Sequence, residues 1–304
     1  MNSNRNNKDA KGRLAASEVH SLAGQAISSA AAANRQLAVH RIEEKYNLPP
    51  ALAEWARENM IAILEKAEVT INFKSQDFFA IPNTMAYKNL FELNRGSTDY
   101  RSTRDRTEQN LFRYNNAGSY SNKQQMVSRI LKRGNYQNGT NRGFVPLVRP
   151  RYGALNIFGA PLGPSSTRMY GYSVIVLKEH MKHKCTFTFG DSFSYTNTVI
   201  NAQSSPLANI FHLDRILVDM ADNTFGKLYK KAHNQPLAPF ELNGHRYIEA
   251  QIHHEIIFNR DVKEIRISEI ERRIGNSDQE LAIRDQIIAE FCQRNNIELS
   301  FVND

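Results

Sequence analysis

Apolar residues in the first part of the chain recur at three- and four-residue steps, the spacing of helices that bury one face. This spacing predicts helices over residues 35–46 and 50–66, and a Pro-Pro pair marks the start of the second. It also places Trp55 in the core. Residues 1–34 are polar and then rich in Ala and Ser, with no apolar stripe, so we expect a flexible tail or a weak helix there.

The second part of the chain has the pattern of a sheet, because short runs of β-branched and aromatic residues alternate with turn signals such as GAPLGPSS. A capping box formed by Ser277 and Glu280 predicts a helix that continues to about Cys292. The predicted strands of this part are residues 155–158, 172–177, 185–189 and 265–268, and the run at 297–302 is the candidate for a last strand.

This order of elements places the chain in the α+β class. We expect an N-terminal helical region followed by a mostly antiparallel or mixed β-sheet with peripheral helices. The pattern changes near Gly143, which divides the chain into the tail or weak helix of residues 1–34, a helical and basic region at 35–142 and a β-rich domain at 143–304. The candidate catalytic residues all lie in the β-rich domain.

The run CTFTFGDSF at residues 185–193 ends a predicted strand on a polar turn. Alternation puts the Cys and Phe side chains on one face and those of Thr186 and Thr188 on the other, so one side is apolar and one is polar. Glycine at position 190 permits a tight turn and leaves Asp191 and Ser192 at the end of the sheet. These residues form either a simple turn or part of an active site.

The run HRYIEAQIHHE at residues 245–255 has an unusual density of titratable groups. In an extended strand every second residue lies on the same face, and in this run those residues are polar. Such a face suits either a charged edge strand or an active site. Metal binding is not expected, because the HEXXH spacing is absent. The residues of the polar row are His245, Tyr247, Glu249, Gln251, His253 and Glu255.

Composition supports a folded protein, since 41% of the 304 residues are hydrophobic. We find no apolar run long enough to span a membrane and no apolar signal core near the first residues. Cys185 and Cys292 are far apart and fit no metal-binding spacing, so we expect buried free thiols.

The positive charge of the chain is concentrated in one segment. Residues 95–151 carry twelve Lys or Arg against three acidic residues, a charge of +9 where the whole chain has +8. This basic segment is either a solvated face or a surface that binds anions such as ATP phosphates, a phosphorylated substrate or an acidic protein. A nucleic acid is the weaker expectation, because no recognised DNA- or RNA-binding motif accompanies the charge.

Four sequence blocks together resemble the S-HxxxE family of bacterial effectors and toxins, which includes the LnaB-like AMP-transferases and a domain of the Mcf toxin. The resemblance covers about residues 145–270 and depends on the order of the blocks, because HxxxE alone is common. The blocks are RYGALN at 151–156, GYSVIVLK at 171–178, CTFTFGDSF at 185–193, and Ser192 combined with His245-Arg246-Tyr247-Ile248-Glu249.

The resemblance implies an actin-activated AMP-transferase that uses ATP, with Mg²⁺, and modifies a phosphorylated or phosphoribosylated protein in the host cytosol after secretion by a dedicated system. It implies that Ser192, His245 and Glu249 are catalytic. His245 would orient or deprotonate the acceptor, Glu249 would orient His245 or hold Mg²⁺, and Ser192 would bind an ATP phosphate. Three further candidates for ATP binding are Arg151, chosen for its charge and position, and Asp191 and Thr188.

Two other functions fit parts of the sequence. A mono-ADP-ribosyltransferase that uses NAD would combine Arg151, either Thr188 or Ser192, and either Glu249 or Glu255, although the spacing differs from that of such enzymes. A non-catalytic module that binds actin or a phosphoprotein would use the basic segment, but it would leave the polar row at 245–255 without a role.

Overall fold

The computed structural model describes residues 3–80, 85–88, 97–112, 149–198, 204–238, 246–274 and 277–303. The strands are β1 Glu68–Phe73, β2 Ala86–Tyr87, β3 Arg151–Asn156, β4 Ser173–Leu177, β5 Cys185–Phe189, β6 Ile248–Ile252, β7 Ile256–Ile257, β8 Val262–Ser268 and β9 Glu298–Val302. The α-helices are α1 Ser3–Tyr46, α2 Pro50–Lys66, α3 Ser75–Phe79, α4 Thr98–Phe112, α5 Asp214–Asp219, α6 Asp222–Ala232, α7 Phe258–Asp261, α8 Glu269–Arg273 and α9 Asp278–Asn295. Short 3₁₀ helices span Ser165–Tyr170, Glu179–Lys184 and Ser192–Tyr195.

A seven-stranded sheet with the order β5-β6-β3-β1-β4-β8-β9 organises the fold. All neighbouring strands are antiparallel except β8 and β9, which are parallel. A separate ribbon pairs β2 with β7. The prediction of an α+β fold with a mixed sheet and peripheral helices is therefore confirmed.

Strand β1 joins the N-terminal region to the rest of the fold. It lies between β3 and β4 in the sheet, although it precedes the expected boundary near Gly143 by many residues. The main chain of a central strand needs hydrogen-bond partners on both sides, and β1 finds both of them in the β-rich domain. The helical region and the β-rich domain therefore share one sheet. Gly143 itself lies outside the described residues.

From Ala23 onward the N-terminal helix α1 packs on the fold, which corrects the expectation that residues 1–34 have no apolar stripe to bury. Helix α1 is continuous, and its side chains at Ala23, Ile27, Ala38 and Ile42 are buried. Small side chains suffice for burial where helices approach closely, and α1 contacts α2 and α5. Within the described residues, no helix is both long enough and apolar enough to cross a membrane.

Helix α2 buries a face that is rotated from the predicted one. Trp55 is 52% exposed and contacts the ring of His233 edge-on, so its prediction as a core residue is wrong. The apolar residues on the buried side of α2 are Ala53, Ala56, Met60 and Leu64, and Arg57 is buried beside them. This side of α2 packs against α1 and α6.

One large apolar core lies on one side of the sheet. Side chains from α1, α2, α5 and α6 pack there against the apolar face of the strands. Cys185 and Cys292 are free and buried in this core, as predicted. The opposite face of β6 and its neighbours is polar.

Gly171 lies against the main chain of β1 near the edge of that polar face, with no room for a Cβ. Its φ is +138°, and an added Cβ would lie 2.0 Å from the carbonyl carbon of Phe73 in β1. We expect Gly171→Ala to lower the free energy of unfolding by about 3 kcal/mol, because the two main chains must separate. Gly159→Ala is the control, since Gly159 also has a positive φ but has no atom within 4 Å of an added Cβ.

The control should cost only the conformational term of about 1–2 kcal/mol. Urea unfolding of both variants measures the difference. Equal losses would show that the close approach of residue 171 to β1 is not a constraint on the fold.

Candidate active site

The polar face is built by cross-strand neighbours on β5, β6 and β3. Glu249 lies opposite Thr188 on one side and Ala154 on the other, while Gln251 lies between Thr186 and Tyr152. The predicted alternation is confirmed across β6, because Ile248, Ala250 and Ile252 face the core. The edge-strand interpretation is wrong, since β6 lies inside the sheet and its polar side chains are buried.

Hydrogen bonds fix the orientation of the Glu249 carboxylate. The Gln251 amide donates from Nε2 to Glu249 Oε1 at 2.9 Å and to Thr188 Oγ1 at 2.8 Å. The other end of the same amide accepts from Thr186 Oγ1 at 2.9 Å. Gln251 therefore links the polar residues of β5 to the carboxylate, a role that the sequence pattern did not reveal.

The turn after β5 brings Ser192 to the same carboxylate. Gly190 has a φ of 81° and donates its main-chain NH to Tyr247 O at 2.8 Å, which ties the turn to the start of β6. Asp191 then caps the short helix Ser192–Tyr195 by accepting from the Phe193 NH. The Ser192 NH donates to Glu249 Oε1 at 3.3 Å, which joins two residues separated by 57 positions.

Helix α4 covers the polar face and contributes Arg104. The Arg104 guanidinium donates from Nη1 to Ser192 Oγ at 3.0 Å, and its central carbon lies 4.0 Å from the centre of the Tyr152 ring. A carboxylate oxygen of Asp191 lies 3.8 Å from Nη2. Arg104 is only 4% exposed, so its charge is placed almost entirely inside the protein.

Sequence reasoning missed Arg104 because it was one of many cations in the basic segment. A signal was nevertheless present, since the buried residues of α4 recur with helical spacing. A stripe that mixes charged and apolar residues in this way indicates a helix covering a polar site. The stripe consists of Arg104, Thr107, Glu108, Leu111 and Phe112.

A second buried carboxylate, that of Glu108, contacts Tyr152 on the polar face. Glu108 accepts from Arg149 Nη1 at 2.7 Å and from the Tyr152 hydroxyl at 2.6 Å. Burial raises the pKa of Glu108 to about 8, although Arg104 and the hydrogen bond from Tyr152 oppose the shift. The tyrosine ring that stacks on Arg104 is therefore anchored through its hydroxyl.

The pKa of Glu249 lies near neutrality. Burial is the largest cause and raises the pKa to about 7, with a smaller upward contribution from Asp191. Arg104 lowers the pKa, as do the hydrogen bonds from Gln251 and Ser192. A carboxyl group with a pKa close to the working pH can both hold and release a proton, as general acid–base catalysis requires.

A cavity of about 580 Å³ opens beside these residues, within the size range of small-molecule sites. Its floor is the polar face of β6, β3 and β1, where Glu249, Ala154 and Thr70 lie in one row. Two strand spacings separate the ends of that row, which is about 10 Å. The residues that line the cavity near Glu249 are Tyr100, Arg104, Tyr152, Tyr170 and Tyr247, and Lys74 and Lys88 also line it.

The other predicted site residues have varied positions. Thr188 is buried and donates to Gly190 O while accepting from Gln251, and Asp191 caps the turn. Arg151 is buried on the face of β3 opposite Tyr152, and its guanidinium donates to Tyr87 O at 2.8 Å and to a second main-chain carbonyl. Arg151 also lines the cavity.

His245 lies outside the described residues, and so does most of the basic segment, from 113 to 148. In the described part of that segment Arg104, Arg149 and Arg151 are buried, so the segment is more than a solvated face. No group of three potential metal ligands among His, Cys, Asp and Glu is found in the described residues.

Replacement of Glu249 tests its buried carboxylate through the pH dependence of stability. The folded-state pKa of about 7 exceeds the ordinary value of 4.5, so the stability contributed by the protonated form is present below pH 4.5 and lost as pH rises through 7. In Glu249→Gln this loss is absent. The free energy of unfolding of the variant minus that of wild type should therefore increase by about 3 kcal/mol between pH 4 and 8.

Denaturant titrations at several pH values measure this difference. Glu58→Gln, on the exposed side of α2, is the control and should give a nearly flat difference. A flat difference for Glu249→Gln as well would mean that its carboxylate is not shifted by burial.

Comparison with known proteins identifies the family but gives no activity. No curated protein matches the sequence. The family described as a protein of unknown function, DUF3626, matches residues 84–302, which include α4, the turn at Ser192 and β6 but not the part of the cavity lining that β1 and α3 supply. Because the match covers more than two thirds of the chain, this protein belongs to the DUF3626 family.

Proposed function

We propose that this protein is a nucleotidyltransferase that moves AMP from ATP to an acceptor group on a protein. The observation that carries the proposal is the hydrogen bond between the Ser192 NH and Glu249, beside a cavity large enough for a nucleotide. These are two of the three residues that the S-HxxxE resemblance makes catalytic. Ser192 begins the 3₁₀ helix after β5 and Glu249 lies in β6, and nothing in their sequence separation requires them to meet.

The site has the charges that adenylyl transfer needs. An acceptor oxygen attacks the α-phosphorus of ATP, the bond from that phosphorus to the bridging oxygen breaks, and pyrophosphate leaves. Negative charge accumulates on the phosphoryl oxygens, so a fixed cation lowers the barrier. Arg104 is the cation that lines the cavity at the end where Glu249 lies.

The roles of the three S-HxxxE residues follow from their surroundings and from the resemblance. Ser192 has no exposed surface, and its hydroxyl accepts from Arg104, so in this arrangement it positions the guanidinium. Glu249 lines the cavity and would either orient His245 or hold a magnesium ion. His245 would orient or deprotonate the acceptor.

Magnesium fits the carboxylates at this end of the cavity. Mg²⁺ usually takes one or two carboxylates together with water and substrate phosphates, so a dedicated set of three protein ligands is not required. Glu249 lines the cavity and would be one ligand, and Asp191, with a carboxylate oxygen 3.8 Å from Arg104, would be a second. A bound Mg²⁺ would neutralise charge on the ATP phosphates.

The geometry supports AMP transfer better than ADP-ribosylation. The NAD-dependent alternative combines Arg151 with Glu249. Both residues line the cavity, but Arg151 lies opposite Ile252 on the core-facing side of the sheet, and its guanidinium donates to the main-chain carbonyls of Tyr87 and His254. A purely binding module would leave unexplained a buried carboxyl group with a near-neutral pKa beside a cavity. Host actin as activator, and a phosphorylated or phosphoribosylated protein as acceptor, are part of the proposal on the strength of the resemblance.

Labelling with α-³²P-ATP and, in parallel, with labelled NAD tests the proposed reaction, each with and without actin. We expect label from ATP to be transferred to protein only when actin is present. Glu249→Gln should reduce the rate by about 10² to 10⁴, the usual effect of removing a positioned acid–base group. Glu255→Gln, in the same sequence run but beyond β6, is the matched control and should keep its activity.

Transfer from NAD and not from ATP would contradict the proposal. Equal activity of Glu249→Gln and wild type would also contradict it.

His245→Ala separates a catalytic role of His245 from a structural one. We expect the variant to remain folded, with a loss of stability within about 1–2 kcal/mol, and to lose AMP transfer. The double variant with Glu249→Gln should transfer AMP only slightly more slowly than the less active of the two single variants. The effects of groups that act on one transition state are not additive. Melting curves and the labelling assay give both quantities, and full activity of His245→Ala would exclude the S-HxxxE assignment.

A further inference from the structure

One hydrogen-bond donor of Arg104 has no acceptor among the residues that the structure describes. Its Nε atom is buried, and no residue in the described part of the chain accepts a hydrogen bond from it. Nη1 donates to Ser192 Oγ, and Nη2 lies 3.8 Å from a carboxylate oxygen of Asp191. A buried donor without a partner destabilises the folded state, the more so when the group is charged, so such groups are rare unless a ligand completes them.

A structural arginine in the same protein shows the contrast. Arg57 is similarly buried, but its Nε donates to Glu54 at 2.9 Å and its Nη1 donates to Asp214 at 2.7 Å. Its remaining terminal nitrogen lies 2.8 Å from Glu54. Every nitrogen of the Arg57 guanidinium therefore has a carboxylate partner, whereas Arg104 Nε has no acceptor within the described part of the chain.

Aromatic rings hold the Arg104 guanidinium in one orientation. The Tyr152 ring lies 4.0 Å from the guanidinium carbon and the Phe193 ring lies 5.4 Å from it. Tyr100 stacks on Phe193 with ring planes 14° apart, which supports that wall from α4. A planar group fixed in this way loses little entropy on binding, and its geometry matches the paired oxygens of a phosphate.

We infer that Arg104 is an anion-binding residue of the cavity and that its ligand is a phosphate group of the substrate nucleotide. This inference rests on the proposed function for the identity of the nucleotide. The phosphate belongs either to the AMP moiety that is transferred or to the pyrophosphate that leaves. Ser192 and the two rings position the guanidinium, and Tyr152 is held in turn by Glu108.

Direct binding measurements separate this inference from any measurement of transfer. We would titrate the full chain with AMP, with inorganic pyrophosphate and with ATP, with and without Mg²⁺, by calorimetry. Arg104→Gln should weaken the binding of ATP about 10- to 100-fold, the value of a charge-assisted hydrogen bond. Arg106→Gln, on the exposed side of α4, is the matched control and should leave affinity within about twofold of wild type.

Two further variants keep the test decisive if Arg104→Gln is poorly folded. Arg104→Lys preserves the charge but lacks the planar fork, so it should recover only part of the lost affinity. Ser192→Ala leaves the arginine in place without its hydroxyl partner and should weaken binding less than Arg104→Gln does. If the Arg104 variants lose affinity for AMP, the ligand is the transferred phosphate. If they lose affinity for pyrophosphate alone, the ligand is the leaving group.

Unchanged affinity of the Arg104 variants for all three probes would overturn the inference, as would a wild-type protein that binds none of them. If the probes bind through Arg104 but no AMP is transferred to protein in the presence of actin, the anion site stands and the proposed reaction fails. The two proposals can therefore fail separately.

Discussion

Burial of the Glu249 carboxylate on an interior strand is the constraint on which the site depends. A carboxylate removed from water must find donors and a cation, or else take up a proton. Here Gln251 and the Ser192 NH supply donors, Arg104 supplies the positive charge, and the raised pKa shows that compensation is incomplete. A hydrophobic residue in that place would need none of these partners, so the arrangement favours function over stability.

The same constraint explains how distant parts of the chain come together. Helix α4 precedes the β-rich domain in sequence, yet it covers the polar face. Its Arg104 supplies the positive charge that opposes the Glu249 carboxylate. Strand β1 lies at the centre of the sheet and extends the cavity floor beyond β3. The core-facing side is apolar and closely packed, and it gives a rigid support on which the polar side chains keep their positions.

The local features of the fold could be predicted from the sequence and the long-range ones could not. Alternation in CTFTF and around Glu249 predicted which residues face the core, and the capping box at Ser277 is present with both of its hydrogen bonds. The position of β1 depends on strand pairing, which composition does not encode. Arg104 escaped prediction because a buried arginine and an exposed one look alike in a basic segment, and only the family resemblance linked Ser192 to Glu249.

We propose that α4, the turn at Ser192 and β6 form one nucleotide site with His245. The decisive experiment is a crystal structure of the protein with a non-hydrolysable ATP analogue. We predict that α-phosphate oxygens lie about 3 Å from the Arg104 guanidinium and that the His245 ring reaches the same phosphate or its acceptor side. A nucleotide bound elsewhere, or a His245 ring more than about 10 Å from the α-phosphate with Glu249 unchanged, would contradict it.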